Sequence, residues 1–420
     1  MEKQTYLILR LTESAPESFD PLHPSGWRSD ETPKGVAMPD YRLETQTLDA
    51  QDYREARRDR QVAAIAQPMP LRLIEPVAAP SAQGVGSPPH IYGATWGVYA
   101  VGALQSPYAG YGVTVAVLDT GIDAAHPAFQ GVTLIQKDFT GEGDGDPHGH
   151  GTHVAGTIFG QTVGDTRIGV APGVRRALIG KVLGMQRSAT TVELAAAIQW
   201  AVDEGAHVIN MSLAFDFPGL ARWWMQQGME PDLATSKALA QYRDNVRLFD
   251  TLSAFVSARA AQQSSAAQHS GALLVAAAGN ESKRHVRADY TIEVAPPAAA
   301  DGVVAVAALA TAGPPHEQFS VAPFSNIRAS VAAPGVDVYS ARSGSSGGSG
   351  GGYTTMSGTS MAAPHVAGVA ALWAERQLQR EGVVRLDSLR LNVLGKAARA
   401  RIPAANHDDV GEGLVAAPCD

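Results

Sequence analysis

The sequence contains a single cysteine, Cys419, in a chain of 420 residues. An intramolecular disulfide is therefore impossible, and the fold needs no oxidising compartment. No run of about 18 apolar residues is present that could span a bilayer, and Arg10 interrupts the apolar stretch that a signal peptide would need. We therefore expect a cytoplasmic protein that has no membrane partner.

An excess of positive charge is also missing, because 33 basic and 41 acidic residues give a net charge of −8. The one arginine-rich stretch, Arg54 to Arg60, is interleaved with acidic residues. The sequence thus lacks the electrostatic footprint of a nucleic-acid-binding protein, and we exclude that class of partner. With 45% apolar residues, the chain is instead globular and long enough for roughly one to three domains.

Residues 1–79 have the pattern of a small α+β unit. Its predicted elements are two strands and one charged helix: Tyr6–Leu11, Leu71–Pro76 and Ala50–Ala66. Residues 12–40 are rich in Pro, Ser, Asp and Gly, which is typical of a loop. The stretch Pro80–Pro89 has the composition of a linker, so we place a domain boundary at residues 80–92.

Over residues 93–420, short continuous apolar runs alternate with helical patterns, as in buried parallel strands joined by crossover helices. The predicted strands are Val113–Leu118, Ala177–Leu183, Val208–Leu213, Leu273–Ala278, Val303–Leu309 and Ala329–Ala332. The predicted helices are Gly151–Phe159, Thr191–Glu204, Pro231 to about Gln268, Ser360–Gln379 and Leu386–Ala398. This pattern predicts a doubly wound α/β domain, with helices on both faces of a mostly parallel sheet and sites at the strands' carboxyl ends.

One of these strands leads directly into a carboxylate. The run Val113-Thr-Val-Ala-Val-Leu-Asp119 is followed by a glycine turn and then by Asp123. Taken alone, either aspartate is more often a turn or cap residue than a catalytic one. A catalytic role for Asp119 therefore depends on the groups that the fold brings to it.

Three histidines, His148, His150 and His153, precede or open a predicted helix. They could bind a metal ion, or one of them could act as a general base. The nearby sequence has neither the glutamate of a zinc-protease helix nor a cysteine pair, so we favour the base. We expect His153 to be a hydrogen-bonded structural residue and His148 to be a loop residue.

Two further stretches place a polar side chain at a helix entry or at the end of a strand. The stretch Met356–Gly368 places Ser360 at a glycine-rich entry to a helix, where free N–H groups and the helix dipole would stabilise an anion. Ser360 is thus a candidate nucleophile, although an ordinary helix cap has the same pattern. The strand that begins at Leu273 ends in Gly279-Asn280, and Asn280 is either a turn residue or an amide donor to a substrate carbonyl.

Taken together, four blocks resemble the signature motifs of the subtilisin-like serine proteases, the subtilases of the peptidase S8 family. The blocks are Asp119-Thr-Gly, His150-Gly-Thr-His-Val-Ala-Gly, Gly279-Asn280 and Gly358-Thr-Ser-Met-Ala-Ala-Pro-His-Val-Ala-Gly. The order Asp, His, Ser is also the order of subtilisin. The resemblance extends from about residue 93 to about residue 380.

The resemblance implies a serine endopeptidase that acts through an acyl-enzyme intermediate. Ser360 would be the nucleophile, His150 the general base and Asp119 the residue that orients the histidine. Asn280 and the Ser360 N–H would form the oxyanion hole. His365, in the helix after the serine, is a structural residue in the family.

The resemblance also implies where a polypeptide substrate binds. Ser212, Leu213 and Ala214 would pair with an extended peptide through main-chain hydrogen bonds, and the segment Ala277-Ala278-Gly279 would form the opposite wall. Ala214 stands where the family usually has glycine, which is a departure that concerns the substrate's path.

Two larger departures from the family are visible. Residues 214–250 form an apparent helical insertion whose aromatic and methionine side chains indicate a small hydrophobic cluster, and we hypothesise that it is a lid that restricts substrates. Its apolar residues include Phe215, Phe217, Trp223, Trp224, Met225 and Met229.

Subtilases often carry a calcium loop after the histidine helix, but here Asp165 is the only strong oxygen ligand and Arg167 adds positive charge. We therefore expect no required metal and no cofactor.

Several alternatives stay open. Residues 1–79 resemble a subtilase propeptide in position, with the linker at 80–89 as the segment that would occupy the cleft, but a permanent regulatory or docking domain fits equally well. A transpeptidating relative, a non-catalytic binding pseudoprotease and an additional regulatory protein partner are the other possibilities. The tract Ser343–Gly352 is a flexible glycine and serine segment, natural or engineered.

Overall fold

The computed structural model describes residues 3–12, 41–77, 90–91, 93–185, 189–262, 271–311, 317–344 and 351–420. The loop predicted at 12–40 and the linker predicted at Pro80–Pro89 lie outside the described residues, apart from Thr12. The same holds for residues 345–350 of the glycine and serine tract and for the predicted helical residues 263–268. No helix in the described part is both long and apolar enough to cross a membrane.

The N-terminal unit contains an antiparallel sheet with strand order β2-β1-β3 and one short helix. Its elements are β1 (Gln4–Leu11), β2 (Tyr41–Leu48), α1 (Ala50–Ala56) and β3 (Val62–Ala66). The predicted helix Ala50–Ala66 is therefore wrong in its second half. The β-branched residues Val62 and Ile65 favour a strand, and β3 supplies the third strand that the sheet needs against β1.

The rest of the chain forms the larger unit. Strand β4 (Leu71–Leu73) ends the N-terminal unit and pairs with the larger unit. The strands of the larger unit are β5 (His90–Ile91), β6 (Ala94–Thr95), β7 (Thr114–Asp119), β8 (Thr133–Asp138), β9 (Arg176–Lys181), β10 (Val208–Met211), β11 (Leu213–Phe215), β12 (Leu273–Ala277), β13 (Val303–Thr311), β14 (Phe319–Val321), β15 (Val331–Pro334), β16 (Val338–Arg342) and β17 (Gly352–Met356). Its helices are α2 (Trp96–Ala100), α3 (His150–Phe159), α4 (Thr191–Asp203), α5 (Phe217–Gln226), α6 (Pro231–Gln262), α7 (Thr359–Glu381), α8 (Leu386–Gly395) and α9 (His407–Val410).

The central sheet has the order β14-β13-β12-β10-β7-β9-β8, with β15 also paired to β13. Every pairing is parallel except that of β14. All six residues of β7 are buried, because helices cover the sheet: α7 packs on β10, β12 and β13, and α4 packs on β7 and β9. The predicted doubly wound α/β sheet is therefore confirmed.

The boundaries of several strands differ from the prediction for identifiable reasons. The run predicted as Val208–Leu213 divides into β10 and β11, because β11 leaves the central sheet and pairs with β4. The edge strand β8 was missed because only one of its faces is partly buried, so it lacks a continuous apolar run. The hairpin of β16 and β17 was missed because β17 has no fully buried residue and therefore lacks a continuous apolar run.

The N-terminal sheet packs against the long helix of the insertion. Helix α6 packs against β3, and the Tyr41 and Phe255 rings lie 5.0 Å apart. The Asn245 side chain donates to the Gln67 carbonyl at 2.7 Å and accepts a hydrogen bond from the Thr191 hydroxyl at 2.7 Å. Helix α6 is thus a platform for residues that lie about 180 positions earlier in the chain.

Phe217 and Trp224 of the insertion are partly buried between α5 and α6, as the composition predicts, whereas Trp223 and Met225 are exposed. Trp224 donates its indole N–H to Gln241 at 3.0 Å, and the Lys237 ammonium lies 3.3 Å from the centre of the Trp224 ring. The Phe217 and Tyr242 rings lie 5.7 Å apart. The lid hypothesis stays a prediction.

The loop after α3 does not fit a calcium site. The Arg167 guanidinium donates to three backbone carbonyls, those of Ala103 at 3.1 Å, Gly169 at 3.0 Å and Val170 at 2.6 Å. Burial lowers the pKa of Arg167 to about 10, so it remains protonated at neutral pH. The carbonyls that could ligate a cation therefore face a side-chain cation, and no cluster of three acidic, His or Cys residues suited to a metal occurs in the described ranges.

We expect Arg167→Met to lower the free energy of unfolding by about 3 kcal/mol, because it leaves three buried carbonyls without their charged donor. Denaturant titration would measure the loss. The matched control is Arg175→Met, since Arg175 is exposed and should change stability by less than about 0.5 kcal/mol. A chelator should leave the unfolding midpoint of the wild type unchanged, and a large shift would contradict the role given to Arg167.

Candidate active site

Asp119 and His150 form a buried hydrogen-bonded pair. Asp119 is the last residue of β7 and His150 the first residue of α3, and the distance between His150 Nδ1 and Asp119 Oδ1 is 2.7 Å. The side chains are 1% and 0% exposed, respectively. Two glycines permit this approach: Gly121 turns the chain after Asp119 with a φ of +109°, and a Cβ on Gly151 in α3 would collide with the Gly121 carbonyl.

The pair sets the protonation of His150. Burial by itself would lower the pKa of His150, but the Asp119 charge and hydrogen bond, followed by the charges of Asp146 and Glu75, raise it above the usual value of 6.5. The protonated form of the His150 ring is thus stabilised, so the ring can hold a proton that Nε2 takes up. This is the electrostatic requirement for a general base that must hold a proton during a reaction.

A second buried carboxylate, Asp146, was missed by the sequence reasoning. Asp146 is 0% exposed, and it accepts hydrogen bonds from the Thr120 hydroxyl at 2.8 Å, the Gly149 N–H at 2.8 Å, and both the N–H and hydroxyl of Thr152 at 2.8 and 2.6 Å. It therefore ties the turn after Asp119 to the start of α3. An acidic residue four positions before His150, within a glycine-rich run, was the available signal.

Ser360 lies in the first turn of α7 and is completely buried. Its hydroxyl donates to the Ile74 carbonyl at 3.0 Å and lies 3.5 Å from the Ser212 carbonyl. His150 Nε2 has no hydrogen-bond partner among the residues that the structure describes. The structure therefore joins Asp119 to His150, while Ser360 is bonded to the N-terminal segment.

Asn280 lies next to Ser360, because its amide is bonded to Thr359 at the start of α7. Its Oδ1 accepts hydrogen bonds from the N–H and the hydroxyl of Thr359, both at 2.9 Å. These bonds orient the amide so that Nδ2 donates to the Glu75 carbonyl at 2.9 Å. Asn280 is thus a held, neutral donor next to the start of α7, which is the arrangement that a developing oxyanion needs.

Residues 70–77 lie across this cleft. Strand β4 is antiparallel to β11, with Leu73 opposite Leu213 and Arg72 opposite Ala214. On either side of β4, the Pro70 carbonyl accepts from the Asp216 N–H at 2.8 Å, and the Val77 N–H donates to the Ser357 carbonyl at 2.8 Å. The predicted strand Leu71–Pro76 is therefore shorter than expected, and it pairs with the larger unit. The segment that lies in the cleft is residues 70–77, which come before the residues 80–89 that we expected there.

The predicted substrate walls lie on either side of this segment. Ser212, Leu213 and Ala214 are buried beneath it, and the Cβ of Ala214 does not prevent regular antiparallel pairing. Ala277 and Ala278 are buried at the end of β12, followed by Gly279 with a φ of +109°. The departure from glycine at position 214 thus leaves the strand path intact.

The remaining polar candidates have structural partners. His153 Nε2 bonds the Val338 carbonyl at 3.0 Å, and burial lowers the pKa of His153 to about 3. His365 Nδ1 bonds the Met361 carbonyl at 2.8 Å, and burial lowers the pKa of His365 to about 4. His148 lies in a loop with Nε2 3.8 Å from the Glu75 carboxylate. Asp123 accepts from the Gly344 N–H at 2.8 Å, which is the role of a turn residue.

Comparison with known proteins gives a consistent result. A profile of the subtilase family matches residues 110–390. The thermophilic serine proteinase of Bacillus sp. (strain AK1) is 35% identical over 272 residues, which are 63% of this chain and 53% of that protein. The intracellular serine protease of Paenibacillus polymyxa is 33% identical over 322 residues, which are 74% of this chain and 81% of that protein. This chain thus spans about half the length of the first relative.

A solved structure supports the fold. The structure of fervidolysin from Fervidobacterium pennivorans, a keratinolytic enzyme related to subtilisin, aligns with a TM-score of 0.62 over 99% of this chain and 60% of that chain. The sequence identity is 24%, so this likeness concerns the fold alone.

The raised pKa of His150 predicts the pH dependence of reaction at Ser360. A general base must be neutral, so kcat/KM should fall as the pH drops through the pKa of His150, with a midpoint above 6.5. The rate of fluorophosphonate labelling across the neutral and weakly acidic range measures this limb. Asp146→Asn removes one of the charges that raise the pKa and should move the midpoint down. A wild-type midpoint at or below 6.5 would contradict the electrostatic argument.

Proposed function

The chain belongs to the subtilase family of serine proteases, and on that premise we propose that it is a serine endopeptidase that hydrolyses polypeptides through an acyl-enzyme intermediate. The observation that carries the proposal is the buried pair of Asp119 and His150 beside residues 70–77. The charge of Glu75 acts on His150, and the carbonyls of Ile74 and Glu75 are bonded to Ser360 and Asn280. The relatives named above are themselves called serine proteases or proteinases.

In the proposed reaction, Ser360 Oγ attacks a peptide carbonyl while His150 Nε2 takes the hydroxyl proton. His150 Nε2 is the ring nitrogen that Asp119 leaves free, because Asp119 holds Nδ1. The same proton passes to the leaving amine as the C–N bond breaks, which leaves the acyl group on Ser360. Water then attacks the ester as His150 accepts the water's proton. His150 returns that proton to Ser360 Oγ as the bond between the acyl carbon and Oγ breaks, and the acid is released.

Charge develops on the carbonyl oxygen during both steps. The Asn280 amide is held by Thr359 and donates to a carbonyl in the cleft. We propose that it stabilises this oxyanion together with the Ser360 N–H at the start of α7. The loss of such a donor lowers kcat about 10²–10³-fold, a magnitude that was measured in a subtilisin.

A fluorophosphonate probe tests the proposal. We expect Ser360-dependent labelling and hydrolysis of peptides, both abolished in Ser360→Ala, because the phosphonate traps the activated hydroxyl. Ser320→Ala is the matched control, because Ser320 is exposed on β14 and should leave labelling intact. Folded protein that binds peptides but neither labels nor cleaves would favour the pseudoprotease alternative. Product masses with and without an added amine would separate hydrolysis from transpeptidation.

We further propose that the N-terminal unit restrains the enzyme through residues 70–77. Ser360 is bonded to the Ile74 carbonyl, whereas Asn280 is bonded to the next carbonyl, that of Glu75. A peptide bond placed for attack would present one carbonyl to both groups. The segment therefore occupies the groove as a substrate would, but divides the catalytic groups between two successive carbonyls.

Loosening this segment should raise the activity on peptides. Ile74 is 0% exposed, so Ile74→Asp would place a carboxylate in an apolar site at a cost of several kcal/mol. We expect at least about a tenfold higher rate on a fluorogenic peptide. Arg58→Glu, an exposed change on the same unit, is the control and should have no effect.

An unchanged rate in Ile74→Asp, with an unfolding midpoint close to that of the wild type, would argue against restraint. The intact masses of wild type and Ser360→Ala provide a separate readout. A lower mass in the wild type alone would show self-cleavage and a propeptide, whereas equal masses, apart from the substitution, would indicate a permanent domain.

A further inference from the structure

We propose that Asp216 and Glu281 form an acidic subsite that selects an arginine or lysine in the substrate, at the position that Arg72 occupies in the cleft. That position is two residues before Ile74 on the N-terminal side. The inference rests on the proposed function and adds a substrate preference to it.

Arg72 marks the subsite because its segment lies on the substrate wall. Arg72 is opposite Ala214 in the ladder of β4 and β11. Its guanidinium donates through Nη2 to Glu281 Oε1, and its Nε is 4.0 Å from Asp216 Oδ1. Two carboxylates from different walls of the cleft therefore meet one cation, because Asp216 follows β11 and Glu281 follows β12.

Glu281 is held in place independently of Arg72. Its second oxygen accepts a hydrogen bond from Asn326 Nδ2 at 2.6 Å, and Asn326 Oδ1 accepts from the Glu281 N–H at 3.1 Å. Asn326 is 0% exposed, and a Cβ on Gly279 would collide with both side chains. The carboxylate is thus fixed before a peptide arrives, which reduces the entropy lost on binding.

Asp216 is fixed by the insertion. It is the N-cap of α5, and its side chain accepts from the Gly219 N–H at 2.9 Å. Its own N–H donates to the Pro70 carbonyl, so the backbone that holds the extended segment also presents the charge. The insertion therefore influences specificity through its first turn, at the edge of the groove.

The electrostatics favour a cationic side chain at this position. When the segment leaves, Asp216 and Glu281 lose the arginine that pairs with both of them, and their like charges are left on facing walls. A substrate arginine or lysine would restore the pairing, a neutral residue would not, and an acidic residue would be repelled. Both carboxylates are about 30% exposed, so we expect about a tenfold preference for arginine over glutamine.

Competition between peptides in one mixture tests the subsite on the full chain. The four peptides copy residues 70–77 with alanine in place of Pro76, and carry Arg, Lys, Gln or Glu in place of Arg72. The protein's own segment lowers kcat/KM for every peptide by the same factor, so the ratios between peptides remain interpretable. Mass spectrometry would report both the rate and the bond that is cut, and we expect the order Arg, Lys, Gln, Glu.

Charge-removing variants locate the preference. Asp216→Asn keeps an N-cap residue of equal quality, and Glu281→Gln keeps the shape of the side chain. In the double variant, we expect the preference for arginine over glutamine to fall to about twofold or less. Asp289→Asn is the matched control, because Asp289 is an exposed carboxylate that is paired with Arg287. It should leave the ratios unchanged.

The outcomes separate the subsite from the proposed function. Equal cleavage of the four peptides by the wild type, or a preference that survives in the double variant, would overturn the subsite and leave the protease function intact. If no peptide is cut and Ser360 does not label, the protease function falls. Binding of fluorescent versions of the peptides to Ser360→Ala then decides: tighter binding of the arginine peptide supports the subsite, and equal affinities refute it.

Discussion

The hydrogen bond between Asp119 and His150 is the constraint on which the site depends. It requires a strand that ends in a carboxylate, a glycine turn that lets α3 approach, and Asp146 to hold the beginning of that helix. Because parallel strands place their carboxyl ends at one edge of the sheet, the ends of β7, β10 and β12 meet at the same cleft as the start of α7. The central sheet thus brings together groups from four distant parts of the chain.

One edge of β11 lines the cleft. Main-chain groups at such an edge can pair with an extended peptide of almost any sequence, and in this structure they pair with the chain's own residues 71–73. In our proposal, restraint and substrate recognition use the same contacts, and the register of the bound segment decides between them. The side chains around the groove, above all those of Asp216 and Glu281, then add the selectivity that main-chain pairing lacks.

The sequence predicted the buried strands well, because parallel strands covered on both faces are continuous apolar runs. It was wrong for residues 57–66, because the charged pattern of α1 stops at a turn, and Val62–Ala66 form β3, which pairs with β1. It missed β8, since an edge strand has no such run. The family resemblance is confirmed by the match over residues 110–390, whereas the cytoplasmic location stays a prediction.

Local sequence by itself identified the four polar residues of the candidate site and their order. Asp119, His150, Asn280 and Ser360 each stand at a strand end or helix entry whose glycine turns are legible in the sequence. Only the tertiary structure decided which segment lies in the cleft and which charges surround it. Arg72 and Glu281 are 209 positions apart, and strand addition through main-chain bonds is tolerant of sequence, so no local pattern could have paired them.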